Sequence, residues 1–117
     1  MTYCLGITVK EGIIAIADTR ITAGNEVYSN KKISIHEIKN HSLFIMTAGL
    51  RSVRDKAVTY FNQAIVDEEE SYDYMFQAAT SFGTKLKQVA AEDRETLEKE
   101  GYSFNLHAIV GGQMPKD

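Results

Sequence analysis

The chain has 117 residues, 44% hydrophobic and 25% charged, with a formal net charge of −3. That length bounds it to a single domain able to bury about 65% of its unfolded surface, and the composition argues against disorder. The charge is too small and the basic residues too scattered for a polyanion-binding surface, so neither nucleic acid nor a membrane is an expected partner. A single cysteine, Cys4, excludes an intrachain disulfide and fits a reducing compartment.

Residues 2–9 are rich in β-branched and aromatic types, with Tyr3, Leu5, Ile7 and Val9 on one face and Thr2, Cys4, Gly6 and Thr8 on the other. A tight connection at 10–12 leads into GIIAIAD, apolar on both faces as in a strand held between two layers. The first apolar runs are short and lack a positive flank, so they do not form a signal peptide. No stretch reaches the roughly 18 apolar residues of a membrane span. These features place the expected protein in the cytoplasm.

TAGNEVYSN (22–30) has the composition of a loop, and KISIHEI (32–38) and SLFIMTAG (42–49) form a second strand pair across KNH. After Gly49 the period changes. Val53, Ala57, Val58, Phe61, Ala64 and Ile65 repeat at helical spacing and predict a helix over 51–66. The run Asp67-Glu68-Glu69-Glu70 reads as a solvated break. A second helix is predicted over 72–99, with Ser71 as N-cap, Gly101 as stop, and Met75, Ala79, Phe82, Leu86 and Val89 as its apolar stripe. A last strand covers 102–112. Four strands, two helices and a strand give an α+β layered fold with both helices on one sheet face. The Gly-Gly that ends the last strand calls for a further strand, so 1–117 reads as part of a larger domain.

The usual catalytic signatures are missing. His36, His41 and His107 have no metal-ligand spacing with one another or with Cys4, and no phosphate or dinucleotide loop is present, so no metal and no cofactor is expected. Cys4 falls in a strand expected to be buried and inert. The remaining candidates are Thr2, Asp18, Arg20, Lys31 or Lys32, and the backbone at Gly49. Each also has an ordinary structural reading: a first strand residue, an exposed Asp–Arg pair at a strand end, a solvated lysine, and a glycine that turns strand into helix.

The stretches TYCLGITVKEGIIAIADTRITAG, KKISIHEI and SLFIMTAGL resemble the start of a proteasome β-type subunit, an N-terminal-nucleophile hydrolase. Within that superfamily the opening MTYC, the D-T-R-x-x-A-G and the late GGQ are most similar to the bacterial Anbu proteins. The resemblance implies the N-terminal part of an αββα sandwich and a threonine endopeptidase whose nucleophile is Thr2 once Met1 is removed. The freed α-amine, with an ordinary pKa of about 7.7–8.0, then serves as base. Lys32 takes the place of the lysine beside the nucleophile, Asp18 that of its acidic partner, and Arg20 that of a support. Gly49 matches the glycine whose N–H faces the oxyanion. Ile21, Thr47 and Arg51 fall where the family builds its primary substrate pocket. The resemblance also implies a ring or spiral of identical subunits acting on peptide or unfolded protein. The alternative is a noncatalytic interaction subunit or an inactive fragment.

Overall fold

The computed structural model describes residues 3–23, 26–29 and 32–117, with positions 21–23 and 26–29 as backbone only. The elements are β1 (Cys4–Val9), β2 (Gly12–Ala17), β3 (Arg20–Ala23), β4 (Glu26–Ser29), β5 (Ile33–Ile38), β6 (His41–Gly49), α1 (Arg51–Val66), α2 (Met75–Lys99) and β7 (Leu106–Gly112). The α+β class holds, with two short strands added. Residues 22–29, expected as loop, fall largely in the hairpin β3–β4, in which Arg20 pairs with Ser29 and Ala23 with Glu26. In the sequence Gly24-Asn25 separates the two strands. These two positions lie outside the described residues.

Antiparallel β5-β6-β7, with β6 central, form the main sheet. Lys39 and Asn40, both at positive φ (46° and 68°), make the two-residue turn from β5 to β6. Alternation along β6 divides its side chains. Leu43 and Ile45 join Val53, Ala57, Phe61, Ala78, Phe82 and Val89 in a core shared with both helices. Phe44 and Met46 point to the opposite face, where β1 packs.

The β1–β2 hairpin turns small residues inward. Gly6 pairs with Ala15 and Cys4 with Ala17, and a side-chain carbon at Gly6 would lie 3.9 Å from Ile109 on β7. Its other face carries Ile7, Val9, Ile14 and Ile16, which keep 38–48% of their surface exposed. The sandwiched position expected for β2 is therefore only half realised: an inner layer is present and, among the described residues, nothing covers the outer face.

α1 begins and ends as the periodicity predicts, with Val53, Ala57, Phe61 and Ala64 buried. α2 starts three residues later than expected, and Ser71 is not its cap. The Tyr74 N–H donates to Gln77 Oε1 (3.1 Å), and the Met75 N–H donates to the Asp117 carboxylate (3.1 and 3.2 Å), so the C-terminal segment supplies acceptors to the helix start. Its buried stripe is Ala78, Phe82 and Val89, and Ala79 is exposed. Gly101 (φ 89°) ends the helix as predicted: its N–H reaches Glu98 O (3.1 Å), and that of Tyr102 reaches Leu97 O (2.9 Å). Glu70 is not part of a merely solvated run. It accepts hydrogen bonds from the Tyr72 hydroxyl (2.8 Å) and Ser81 Oγ (3.2 Å). The last strand starts at Leu106 rather than 102. No helix among the described residues is long and apolar enough to cross a membrane.

Candidate active site

The β1–β2 register sets the site. The ladder ends at Cys4 opposite Ala17, and one step further Tyr3 faces Asp18. There the Asp18 N–H donates to Tyr3 O (3.1 Å), while the Tyr3 N–H donates to Asp18 Oδ2 (2.7 Å). The other carboxylate oxygen, Oδ1, accepts from Lys32 Nζ in a close ion pair. Lys32 immediately precedes β5, and its side chain is only 11% exposed. One carboxylate thus ties the start of β5 to the peptide nitrogen that joins residues 2 and 3. Thr2, Lys31 and the side chain of Ile21 lie outside the described residues.

The Lys32 ammonium hydrogen bond, followed by the Tyr3 N–H, holds the Asp18 carboxyl below its ordinary 3.8. A carboxyl lowered in the folded state stabilises the fold above its unfolded pKa and loses that contribution as pH falls through the folded value. Asp18→Asn is therefore expected to lower the urea midpoint at about pH 6, with the difference from wild type shrinking toward about pH 2. A difference independent of pH would remove this assignment.

Cys4 is half-buried rather than fully buried. Its Sγ lies 3.9 Å from Thr47 O, linking β1 to β6 two residues before Gly49. Burial pushes the thiol pKa up, the Asp18 carboxylate adds to this and Lys32 opposes it, so the sulfur stands within the field of the pair as a protonated thiol. Arg20 is exposed, and its backbone N–H contributes a hydrogen bond to Asp18.

Gly49 ends β6 at φ 132°. The next residue, Leu50, is extended (φ −67°, ψ 121°) and caps α1, donating its N–H to Asn105 O (3.2 Å). The α1 N-terminus therefore starts directly after Gly49, where helix N–H groups lack intrahelical partners. Thr47 is 7% exposed and shares its strand face with Leu43 and Ile45, toward the helices. Arg51 is exposed and pairs with Asp55 (3.6 Å). The structure thus gathers Asp18, Lys32, Tyr3 and Cys4, with Gly49 beyond Thr47 on the adjoining strand. It does not turn Thr47 toward the ion pair. Sequence reasoning missed the Tyr3 N–H and Asn105, both of which act through backbone atoms that carry no side-chain signal. Among the described residues, no cluster of three His, Cys, Asp or Glu side chains is arranged to hold a metal.

The sequence model of the family described as "Proteasome subunit" matches residues 2–116. The chain belongs to the proteasome subunit family. It is 42% identical over 48 residues to proteasome subunit beta 2 of Pyrococcus furiosus, a match covering 41% of this chain and 23% of the relative. Its fold is similar to solved Anbu structures. A Gly-1 mutant from Hyphomicrobium sp. strain MC1 superposes with a TM-score of 0.82 at 21% identity, covering 100% of this chain and 49% of the other. The Pseudomonas aeruginosa protein, solved as a helical assembly of the Anbu complex, gives 0.82 at 19%, covering 97% and 48%. The ancestral β-subunit from Yersinia bercovieri gives 0.80 at 20%, covering 100% and 49%. At these identities the likeness establishes the fold of a proteasome-family subunit. The chain spans about half the length of these solved proteins.

Proposed function

We propose that this proteasome-family chain is the N-terminal half of a β-type threonine endopeptidase domain, with Thr2 as nucleophile once Met1 is removed. The observation that carries the reading is the Asp18 carboxylate, which joins Lys32 to the amide nitrogen of Tyr3, one peptide bond from Thr2. In this reading the free Thr2 amine takes the hydroxyl proton while Oγ attacks a peptide carbonyl. Lys32 stays charged because Asp18 pairs with it, and its field favours the ionising hydroxyl and disfavours a second ammonium. The Gly49 N–H receives the oxyanion, a contribution worth about 3 kcal/mol in other hydrolases. Arg20 supports the Asp18 end through its backbone. Ile21, Thr47 and Arg51 line the substrate pocket, Thr47 through its backbone and Arg51 by drawing acidic side chains of peptide or unfolded protein. Copies of the subunit assemble with one another in the cytoplasm, as the helical assembly of the Pseudomonas aeruginosa Anbu complex supports.

Thr2→Ala is expected to abolish peptide hydrolysis at an unchanged urea midpoint, because residue 2 precedes the first strand. Full activity in Thr2→Ala would remove the reading. A second reading, a noncatalytic interaction subunit of the same family, is favoured by the uncovered apolar face of β1–β2. It predicts self-assembly with neither hydrolysis nor labelling by threonine-directed inhibitors.

A further inference from the structure

We propose that His36 is a proton-operated latch between the edge strand β5 and helix α1: neutral and seated, it keeps that seam closed, and protonated, it opens it. The inference is independent of any peptidase activity. His36 is 5% exposed and lies edge-on to Phe61 of α1, with ring centroids 5.3 Å apart at 87°. Its Nε2 lies 3.0 Å from Ser34 Oγ, two residues along its own strand. Its Nδ1 has no hydrogen-bond partner and is, among the described residues, the one buried side-chain polar atom in that condition. The Asn62 amide lies alongside without closing a bond to it.

An imidazolium in this seat would carry two N–H donors, one of them without an acceptor, in a position stripped of water. Burial and, secondarily, the Arg54 guanidinium hold the ring below its ordinary pKa of 6.5, against the opposing effect of Asn62. The surroundings show where the charged ring would go. A cavity on the same seam is lined by His36, Val58, Thr59, Asn62, Gln63 and Asp67, and it supplies a carboxylate and two amide oxygens. The other titratable groups facing the ring offer it nothing. From β6, His41 shares the strand face of Leu43, which pairs opposite His36. Tyr72 stacks on Phe61, with its hydroxyl committed to Glu70 and Ser81. α2 contributes the apolar Phe82.

The seam is also the easy one to open. Among the described residues β5 is an edge strand paired only with β6, so releasing it breaks one ladder. Lys32 immediately precedes β5, so opening also loosens the Lys32–Asp18 pair.

The sign follows from the lowered folded pKa. The closed seam is fully stabilised above 6.5 and weakens by up to about tenfold per pH unit below it, until the folded group itself titrates. The test is an imidazole NMR titration of the 117-residue chain together with amide hydrogen exchange over 33–38, corrected for the intrinsic rate, between about pH 7 and about pH 4.5. The Asp18 carboxyl, held below its ordinary value chiefly by the Lys32 hydrogen bond, stays largely ionised over this range. Protection of β5 is expected to fall by up to about 100-fold at pH 4.5, with β7 unaffected and with a flat profile in His36→Phe and His36→Gln. An equal loss in β5 and β7 of the wild-type chain overturns the latch, even if neither variant folds. So does β5 protection that stays flat while the His36 ring protonates, or the same loss in either folded variant.

Discussion

Gly49→Ala is expected to destabilise the fold by at least about 3 kcal/mol, whereas Gly83→Ala stabilises it by about 0.5–1 kcal/mol. The contrast is geometric. A methyl at Gly49 would sit 2.5 Å from Asn105 O, 2.6 Å from Asn105 Oδ1 and 3.0 Å from the Leu106 Cα, at a φ of 132° that side-chain-bearing residues rarely adopt. Two of those three neighbours are backbone atoms of the chain entering β7, so relief requires moving the β6–β7 ladder. The backbone strain alone costs about 1–3 kcal/mol, and the contacts add to it. Gly83 lies inside α2 with nothing within 4 Å of the added carbon, and alanine there only reduces the freedom of the unfolded chain. Urea midpoints of the two variants check both signs. A neutral Gly49→Ala would mean that the β6–α1 junction is not built as described.

The second large effect is at Phe61. It is fully buried on α1 and meets three rings: edge-on His36 and Phe82 (centroids 5.3 and 5.8 Å) and stacked Tyr72 (6.3 Å). Phe61 therefore joins the sheet, the segment before α2, and α2 itself. Phe61→Ala is expected to cost about 3–5 kcal/mol, from lost transfer energy plus a cavity that rigid neighbours do not fill. In a chain of this size, whose total stability is about 5–15 kcal/mol, that loss removes a large share. Equilibrium urea unfolding should show an earlier midpoint with an unchanged slope. A cost below about 1 kcal/mol would mean that the helix layer is not packed on the sheet through this ring.

The helices were the most legible part of the chain. Val53, Ala57, Phe61 and Ala64 fall on one α1 face at 3.6-residue spacing, and burial follows that spacing. α2 was less exact, because the Tyr74 N–H is met by Gln77 and the Met75 N–H by Asp117, more than forty residues away, and no local rule anticipates that carboxylate. The β3–β4 hairpin was missed because four-residue strands are too short to show a period. At β2, apolar residues on both faces were read as a strand between two layers, and only the inner layer lies among the described residues. For the site, residue identity and order selected Asp18 and Lys32 through the family resemblance, and the structure pairs them. Strand parity works against Thr47, whose side chain faces the helices.

The most direct test of a Thr2 nucleophile is intact mass and peptide mapping of the full-length native protein after reaction with an epoxyketone or β-lactone. The expected result is loss of Met1 and a single covalent adduct on Thr2, absent in Thr2→Ala. Retained Met1 with no adduct would contradict it, since residue 2 would then offer an amide in place of the amine that must serve as base.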